Sequence, residues 1–139
     1  MSTIDVEAEI VLRDAASRLL TPLPGECLAC YENRMLADFG CDNTLRFARA
    51  YRDERAPRAT ALERTLGDRG GYCDCEVLWN VFEVARELWT PERWEAGEDG
   101  EGDFYIEAEP PDQIPACATV RGGSTQPCHW WQRQRRPRW

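Results

Sequence analysis

In the stretch DVEAEIVLRDAASRLL, residues 5–20, the apolar positions Val6, Ile10, Leu12, Ala16, Leu19 and Leu20 fall mainly on one side of a helical wheel. That spacing predicts a packing helix, stopped by Pro22 and Pro24. A second helix is expected over 28–38, with Leu28, Tyr31, Met35 and Leu36 as its apolar stripe and Gly40 as a left-handed C-cap. Asp42, or else Asn43, is placed to cap a third helix. Its inward side is Leu45, Phe47, Ala48 and Tyr51, its outward side is Arg46, Arg49 and Asp53, and Pro57 ends it. RATALERTLGDRGG reads as a short helix, with Leu62 and Leu66 four apart. The strongest periodicity follows: Val77, Leu78, Val81, Phe82, Ala85, Leu88 and Trp89 recur at steps of three and four, predicting an amphipathic helix that forms the spine of the core.

Beyond Pro91 the regularity stops. Only DFYIEAE alternates like a strand, with Phe104 and Ile106 on one side and Tyr105 and Glu107 on the other, a single edge strand at most. The remaining chain mixes Pro, Gly, Ser, Gln and Arg with Trp130, Trp131 and Trp139, a composition that need not fold alone. The predicted fold is therefore mainly α. It is a small bundle of about five helices stapled by a Cys-rich zinc site. The expected division is a helical zinc-binding domain over residues 1–90 and an irregular, partly disordered tail over 91–139, acidic first and then rich in Arg and Trp.

Composition narrows the function. The chain has 139 residues, 42% of them apolar, enough for one modest core. Its N-terminal acids do not form the basic head of a secretory signal, and no window approaches a membrane span, so a cytoplasmic location is expected. A net charge of -8 argues against indiscriminate nucleic-acid binding. The charge is divided, however: acids gather in PERWEAGEDGEGDFYIEAEPPD, whereas RQRRPR lies near the end and there is no lysine.

Seven cysteines in a reducing compartment point to metal or thiol chemistry rather than to a disulfide framework, and the odd number argues against complete pairing. CLAC, Cys27 to Cys30, has the spacing with which a turn presents two sulfurs to one ion. GGYCDCE brings Cys73 and Cys75, a tighter pair whose preceding Gly70 and Gly71 free the backbone to wrap a metal. In the preferred scheme Cys27, Cys30, Cys73 and Cys75 hold zinc and Cys41 is a buried thiol. In the alternative, Cys41 joins Cys73 and Cys75, with Asn43, Asp42 or water as fourth donor. One ion does not readily take Cys27, Cys30 and Cys41 together, because a regular helix would hold Cys30 and Cys41 roughly 16 Å apart. The plainer readings are small core residues or redox thiols.

CLACYENRML, GCDNTLRFARAYRDERAPRA and above all GGYCDCEVLWNV resemble an actinobacterial branch of the family known as domain of unknown function 2695, over about residues 25 to 84. The resemblance implies a helical core with cysteines at helix ends and no established reaction. It also implies kinship with a mycobacterial zinc-responsive factor that recruits a hibernation protein to the ribosome, hence zinc-sensitive control of ribosome inactivation through protein contacts. Relatives often carry a histidine near the GCD cysteine; here Asn43 and Leu45 stand there.

An enzyme is not expected. CLAC lacks the βαβ setting of a dithiol redox motif, the one histidine lies in the irregular tail, and RGGYCDCE lacks the lysine of a phosphate loop. Arg46, Arg49, Arg52, Arg55 and Arg58 are candidates for contact with a partner or RNA, set against the plainer reading of a solvated face paired with nearby acids. His129 and Cys128, with Cys117 upstream, supply further donors, but no fourth is evident in that segment. The partner expected is a protein, the ribosome or a hibernation factor; a membrane is not.

Overall fold

The computed structural model describes residues 3–135. Five helices come first: α1 (Thr3–Leu20), α2 (Leu28–Phe39), α3 (Arg46–Arg55), α4 (Leu62–Asp68) and α5 (Asp74–Glu76). Four short strands follow: β1 (Phe82–Val84), β2 (Arg93–Glu95), β3 (Phe104–Ile106) and β4 (Trp131–Arg133). The first four helices begin and end close to where the apolar stripes and the Pro and Gly stops place them.

The core is built from one face of each central helix. Tyr31 and Met35 of α2 meet Phe47, Ala48 and Tyr51 of α3, with Leu66 of α4 and Val77 closing the cluster. Gly40 ends α2 at φ 73, the left-handed conformation that glycine adopts without a Cβ penalty. Gly71 answers to space instead: a Cβ there would lie 2.8 Å from Val81 Cγ2.

The cap of α3 is not the one expected. Asp42 closes its own turn by accepting from the Thr44 N–H at 3.0 Å. The free amides of α3 are taken by a residue far along the chain: Asp74 accepts from Phe47 N at 3.1 Å and Ala48 N at 3.2 Å. Asp74 is fully buried, and these two amides at a helix start are what make its carboxylate tolerable there. In return its own N–H donates to Thr44 O at 3.0 Å. The "CDC" segment is thus bolted to the "GCDNT" loop.

The reading of residues 77–91 needs two corrections. The helix predicted over residues 77–89 stops early: α5 widens into a π turn over Val77–Val81, and the chain then extends as β1. The physical reason is a partner from the far end of the sequence. β1 pairs antiparallel with β4, Phe82 opposite Arg133 and Val84 opposite Trp131. The pairing is extended at both ends by Ala85 N to Trp130 O at 2.8 Å and Gln134 N to Val81 O at 2.9 Å. The strand hydrogen bonds take the place of a helical ladder, and Val81, Phe82 and Val84 suit that state. The second correction concerns the boundary at residue 90. Cys128 and Trp131 belong to the same buried cluster as α2 and α3, so the chain beyond it is not wholly a tail. Trp139 and the last arginines lie outside the described residues.

The intervening β2–β3 hairpin stands apart, with Trp94 against Tyr105 at 5.4 Å between centroids and the side chains of β2 exposed. α1 is the opposite of its expected role. Its described side chains from Asp5 to Leu19 are exposed, Leu12 at 68%, and contact with the core begins at Leu20. Among the described residues no helix is long and apolar enough to cross a membrane.

Candidate metal centre

Four sulfurs converge where the start of α2 meets the returning C-terminal segment. The Sγ atoms of Cys27, Cys30, Cys117 and Cys128 all lie within 4.8 Å of one another. Cys27 is the N-cap of α2, extended at φ -79, ψ 162, and its sulfur accepts from the Cys30 N–H at 3.3 Å. This places the two thiols of CLAC on one side of the helix start. Cys117 arrives on a loop tied to the turn before α2, where Val120 N donates to Gly25 O at 2.9 Å. Cys128 comes shortly before β4 and is held by Trp131 N to Cys128 O at 3.1 Å.

The donor chemistry fits a tetrahedral thiophilic ion. Zinc–sulfur bonds of about 2.3 Å give tetrahedral sulfur–sulfur edges of about 3.8 Å, and Cys30 Sγ to Cys128 Sγ is 3.8 Å. Surrounding N–H groups aim at the sulfurs as they do around metal-bound thiolates: Cys27 N and Thr119 N reach Cys117 Sγ at 3.3 Å each, and Trp131 Nε1 reaches Cys30 Sγ at 3.3 Å. A hydrogen bond from the Cys30 thiol, more than the backbone amides, pulls the Cys27 pKa down to about 5 despite burial. Cys30 keeps its proton in consequence, its pKa raised by that bond to Cys27 and by burial, and burial likewise raises Cys128. The protons that Cys30 and Cys128 keep beside the Cys27 thiolate are those a divalent cation would displace.

An outer layer fixes these cysteines. Glu26, 5% exposed, takes a forked pair of hydrogen bonds from Arg34 at 2.7 and 3.0 Å, and accepts from Leu23 N at 3.0 Å. Tyr51 Oη donates to Glu26 O at 2.9 Å and lies 3.2 Å from Ser124 O, so α3, the Cys27 turn and the C-terminal segment meet at one hydroxyl. Cys27 and Cys128 are buried, whereas Cys30 and Cys117 are half-buried and line a cleft of about 410 Å³ with Ile114, Pro115 and Asn33. The centre is closed on one side and reachable on the other.

The preferred ligand scheme is thus redrawn. Cys27 and Cys30 do come together, but with Cys117 and Cys128; Cys73 and Cys75 lie instead beside Cys41, across the Thr44–Asp74 contact. The sequence does hold Cys117 and Cys128, but it suggests His129 as their companion. That imidazole faces outward, 2.9 Å from Glu87. A pair of cysteines set among Pro, Gly and Trp in an otherwise unpatterned segment was the available signal, and its partners ninety residues upstream were not readable from spacing.

The arginines have local occupations. Arg52 bonds Glu63 at 3.0 Å and Arg49 lies 3.9 Å from the same carboxylate. Arg55 donates to Pro22 O at 2.8 Å. Arg46 donates to Gly40 O at 3.0 Å and lies over the Phe47 ring. Arg58 is exposed.

Residues 28–80 match the profile of a family described as protein of unknown function, DUF2695. Among curated proteins, uncharacterised proteins of Mycobacterium bovis and of two Mycobacterium tuberculosis strains are each 36% identical over 56 residues, 40% of this chain and 57% of the relative. The chain therefore spans a little over half the length of the curated relatives it matches. No solved structure matches.

Proposed function

From the match of residues 28–80 to the DUF2695 profile, we propose that this chain is a non-enzymatic, zinc-binding regulatory protein whose C-terminal segment is docked or released according to zinc occupancy. The observation that supports this is the origin of the ligands. Cys30 lies inside the family segment and Cys27 borders it, whereas Cys117 and Cys128 lie well beyond it, so one ion spans the family helices and the segment that returns to them. Binding energy at such a site is folding energy for whatever the ligands connect. The half-buried Cys30 and Cys117, open to the cleft, give chelators and competing thiols a route to the ion. That route favours an exchanging site over a permanent staple.

Ribosome hibernation, acting through a protein partner, is the process to which the family resemblance directs this reading. Zinc-dependent docking would expose or cover a partner surface on β4 and the adjoining segment.

The test is a graded chelator series on the purified protein, followed by native mass spectrometry and by the near-ultraviolet signal of the tryptophans. One zinc leaving together with the Trp131 signal at a chelator strength within the cellular zinc range is the expected result. Zinc that resists all but denaturing conditions would make the centre a constitutive staple. Co-sedimentation of zinc-loaded and zinc-stripped protein with ribosomes tests the partner, and equal amounts in both pellets would sink that part.

A further inference from the structure

A cleft of about 750 Å³ lies between the π turn, β4 and the segment around Pro110 and Pro111. Trp79, Trp89 and Trp131 line it together with those two prolines. Local bonds hold the walls in place. Trp89 Nε1 donates to Val84 O at 2.9 Å, and Gln134 Nε2 donates to Trp79 O at 2.5 Å and to Phe82 O at 3.2 Å. Thr90 N donates to Glu109 O at 2.8 Å, which brings Pro110 and Pro111 beside Trp89. Trp131 Nε1 is the group aimed at Cys30 Sγ, at 3.3 Å. The cleft thus joins α2 and the π turn, through Asn33, Leu78 and Trp79, to the chain that returns with β4.

What the walls leave unsatisfied indicates the occupant. Trp79 is 68% exposed. A wall so open does not enclose a small molecule, whose sites bury most of the ligand, but it suits a chain laid across it. Aromatic-lined grooves are where extended, proline-bearing peptides pack. Among the described residues the exposed side-chain amides of Asn33 and Gln113 bond nothing, which leaves them to the backbone of such a peptide. The charge is one-sided: Glu83 and Asp112 line the cleft and no arginine does. Phosphates would meet only negative charge there. Glu83 is held by Gln132 Nε2 at 2.7 Å and lies 3.4 Å from Arg86, so the exposed Asp112 is the carboxylate left open. The chain itself shows the pairing that such a surface rewards. The Arg86 guanidinium lies over the Trp89 ring at 3.8 Å while it faces Glu83, and a guanidinium between an indole and a carboxylate gains from both.

We infer that this cleft is the docking site for an extended segment of a partner protein that carries arginine and proline, with an arginine on the Trp79 ring and toward Asp112. The proline and apolar stretches lie against Pro110, Pro111 and Trp89, and the peptide backbone meets Asn33 and Gln113. The inference rests on the proposed docking of the C-terminal segment, since Pro110, Pro111 and Trp131 complete the cleft only while that segment is in place. It gives the partner surface a place and a chemistry, and zinc occupancy would act on the partner by assembling or dissolving the cleft.

The experiment is fluorescence anisotropy of a labelled peptide of alternating arginine and proline, titrated with the zinc-loaded full chain, with a peptide of alternating glutamate and proline as control. A chain of net charge -8 attracts any cationic peptide weakly, so the decisive readout is the pair of variants. Trp79→Ala, at an exposed site, should keep the fold and weaken binding about tenfold, within the range of a cation–π contact. Asp112→Asn should weaken it about threefold and flatten its salt dependence. No binding to the zinc-loaded chain, or equal binding to Trp79→Ala, overturns the inference and leaves the zinc reading untouched. Equal binding by zinc-loaded and zinc-stripped chain, still weakened by Trp79→Ala, supports the cleft and sinks zinc-dependent docking instead. Binding that emerges only after removal of residues 136–139 gives the cleft to the chain's own arginines, and a dimer that Trp79→Ala dissolves gives it to a second copy. Either result overturns the inference.

Discussion

The helix α1 and the segment 113–134 invert the relation between pattern and burial. α1 has a clear apolar periodicity and a good stop signal, yet its described side chains from Asp5 to Leu19 lie in solvent. The segment 113–134 has no periodicity, yet it supplies Cys128 and Trp131 to the core and a strand to β1. Periodicity reports what shape a segment takes, because it follows from how a helix or strand distributes side chains. Burial depends on whether another part of the chain offers groups that reward the contact. For residues 113–134 those groups are two sulfurs, an indole N–H aimed at Cys30 and an unpaired strand edge.

The sharpest way to break this comparison is to remove the sulfurs. Cys128→Ser leaves three ligands, and zinc affinity should fall by more than about a hundredfold, beyond the tenfold-to-hundredfold effect of altering an outer-layer partner. Competition with a coloured chelator measures it, and an unchanged affinity would exclude Cys128 as a ligand. Trp131→Ala should cost about 3–5 kcal/mol, read from urea melts, since a 7%-exposed indole leaves a cavity between β4 and α2. A loss under about 1 kcal/mol would mean that the segment is held by the metal alone.

A smaller effect tests the core between the two regions. Burial, and then the neighbouring Asp74 carboxylate, hold the Glu32 pKa well above its ordinary value. The folded state therefore binds this proton more tightly than the unfolded chain. Its stabilising share is full below the unfolded pKa of about 4.3 and declines as pH rises from there toward the folded value. Glu32→Gln should melt higher than wild type near neutral pH, by about 1.4 kcal/mol for every tenfold by which folding tightens the proton over that range, and the advantage should vanish near pH 4. A constant difference across that range would point to packing instead. The smallest change belongs to α1: deleting residues 1–19 should move stability by no more than about 0.5 kcal/mol, as for exposed sites elsewhere. A larger loss by urea melt would show that α1 does pack on the rest of the chain.

Helices α1 to α4 were legible because stripes, Pro stops and Gly40 are all local signals. The third helix was placed correctly while its cap was not, since Asp74 reaches Phe47 and Ala48 from about 27 positions away. The run 77–89 misled for the same reason: Val81, Phe82 and Val84 satisfy a helical spacing and a strand equally, and β4 decided between them. At the metal centre, CLAC announced itself by spacing. The sulfurs that the fold gathers beside it were not readable, because Cys73 and Cys75 make the nearer and more helix-like pair, whereas Cys117 and Cys128 are brought in by tertiary contacts.

The separation of those cysteines along the chain also has a consequence in time. Cys27 and Cys117 are 90 positions apart, and Cys30 and Cys128 are 98 apart. With synthesis at about 5–20 residues per second, the first two thiols wait roughly 5–20 s for the others to be made. During that interval helices α2 to α4 exist with two of the four clustered thiols, open to any soft ion or oxidant that arrives first. The order of emergence therefore leaves the choice of any metal open until the segment that carries Cys117 and Cys128 arrives.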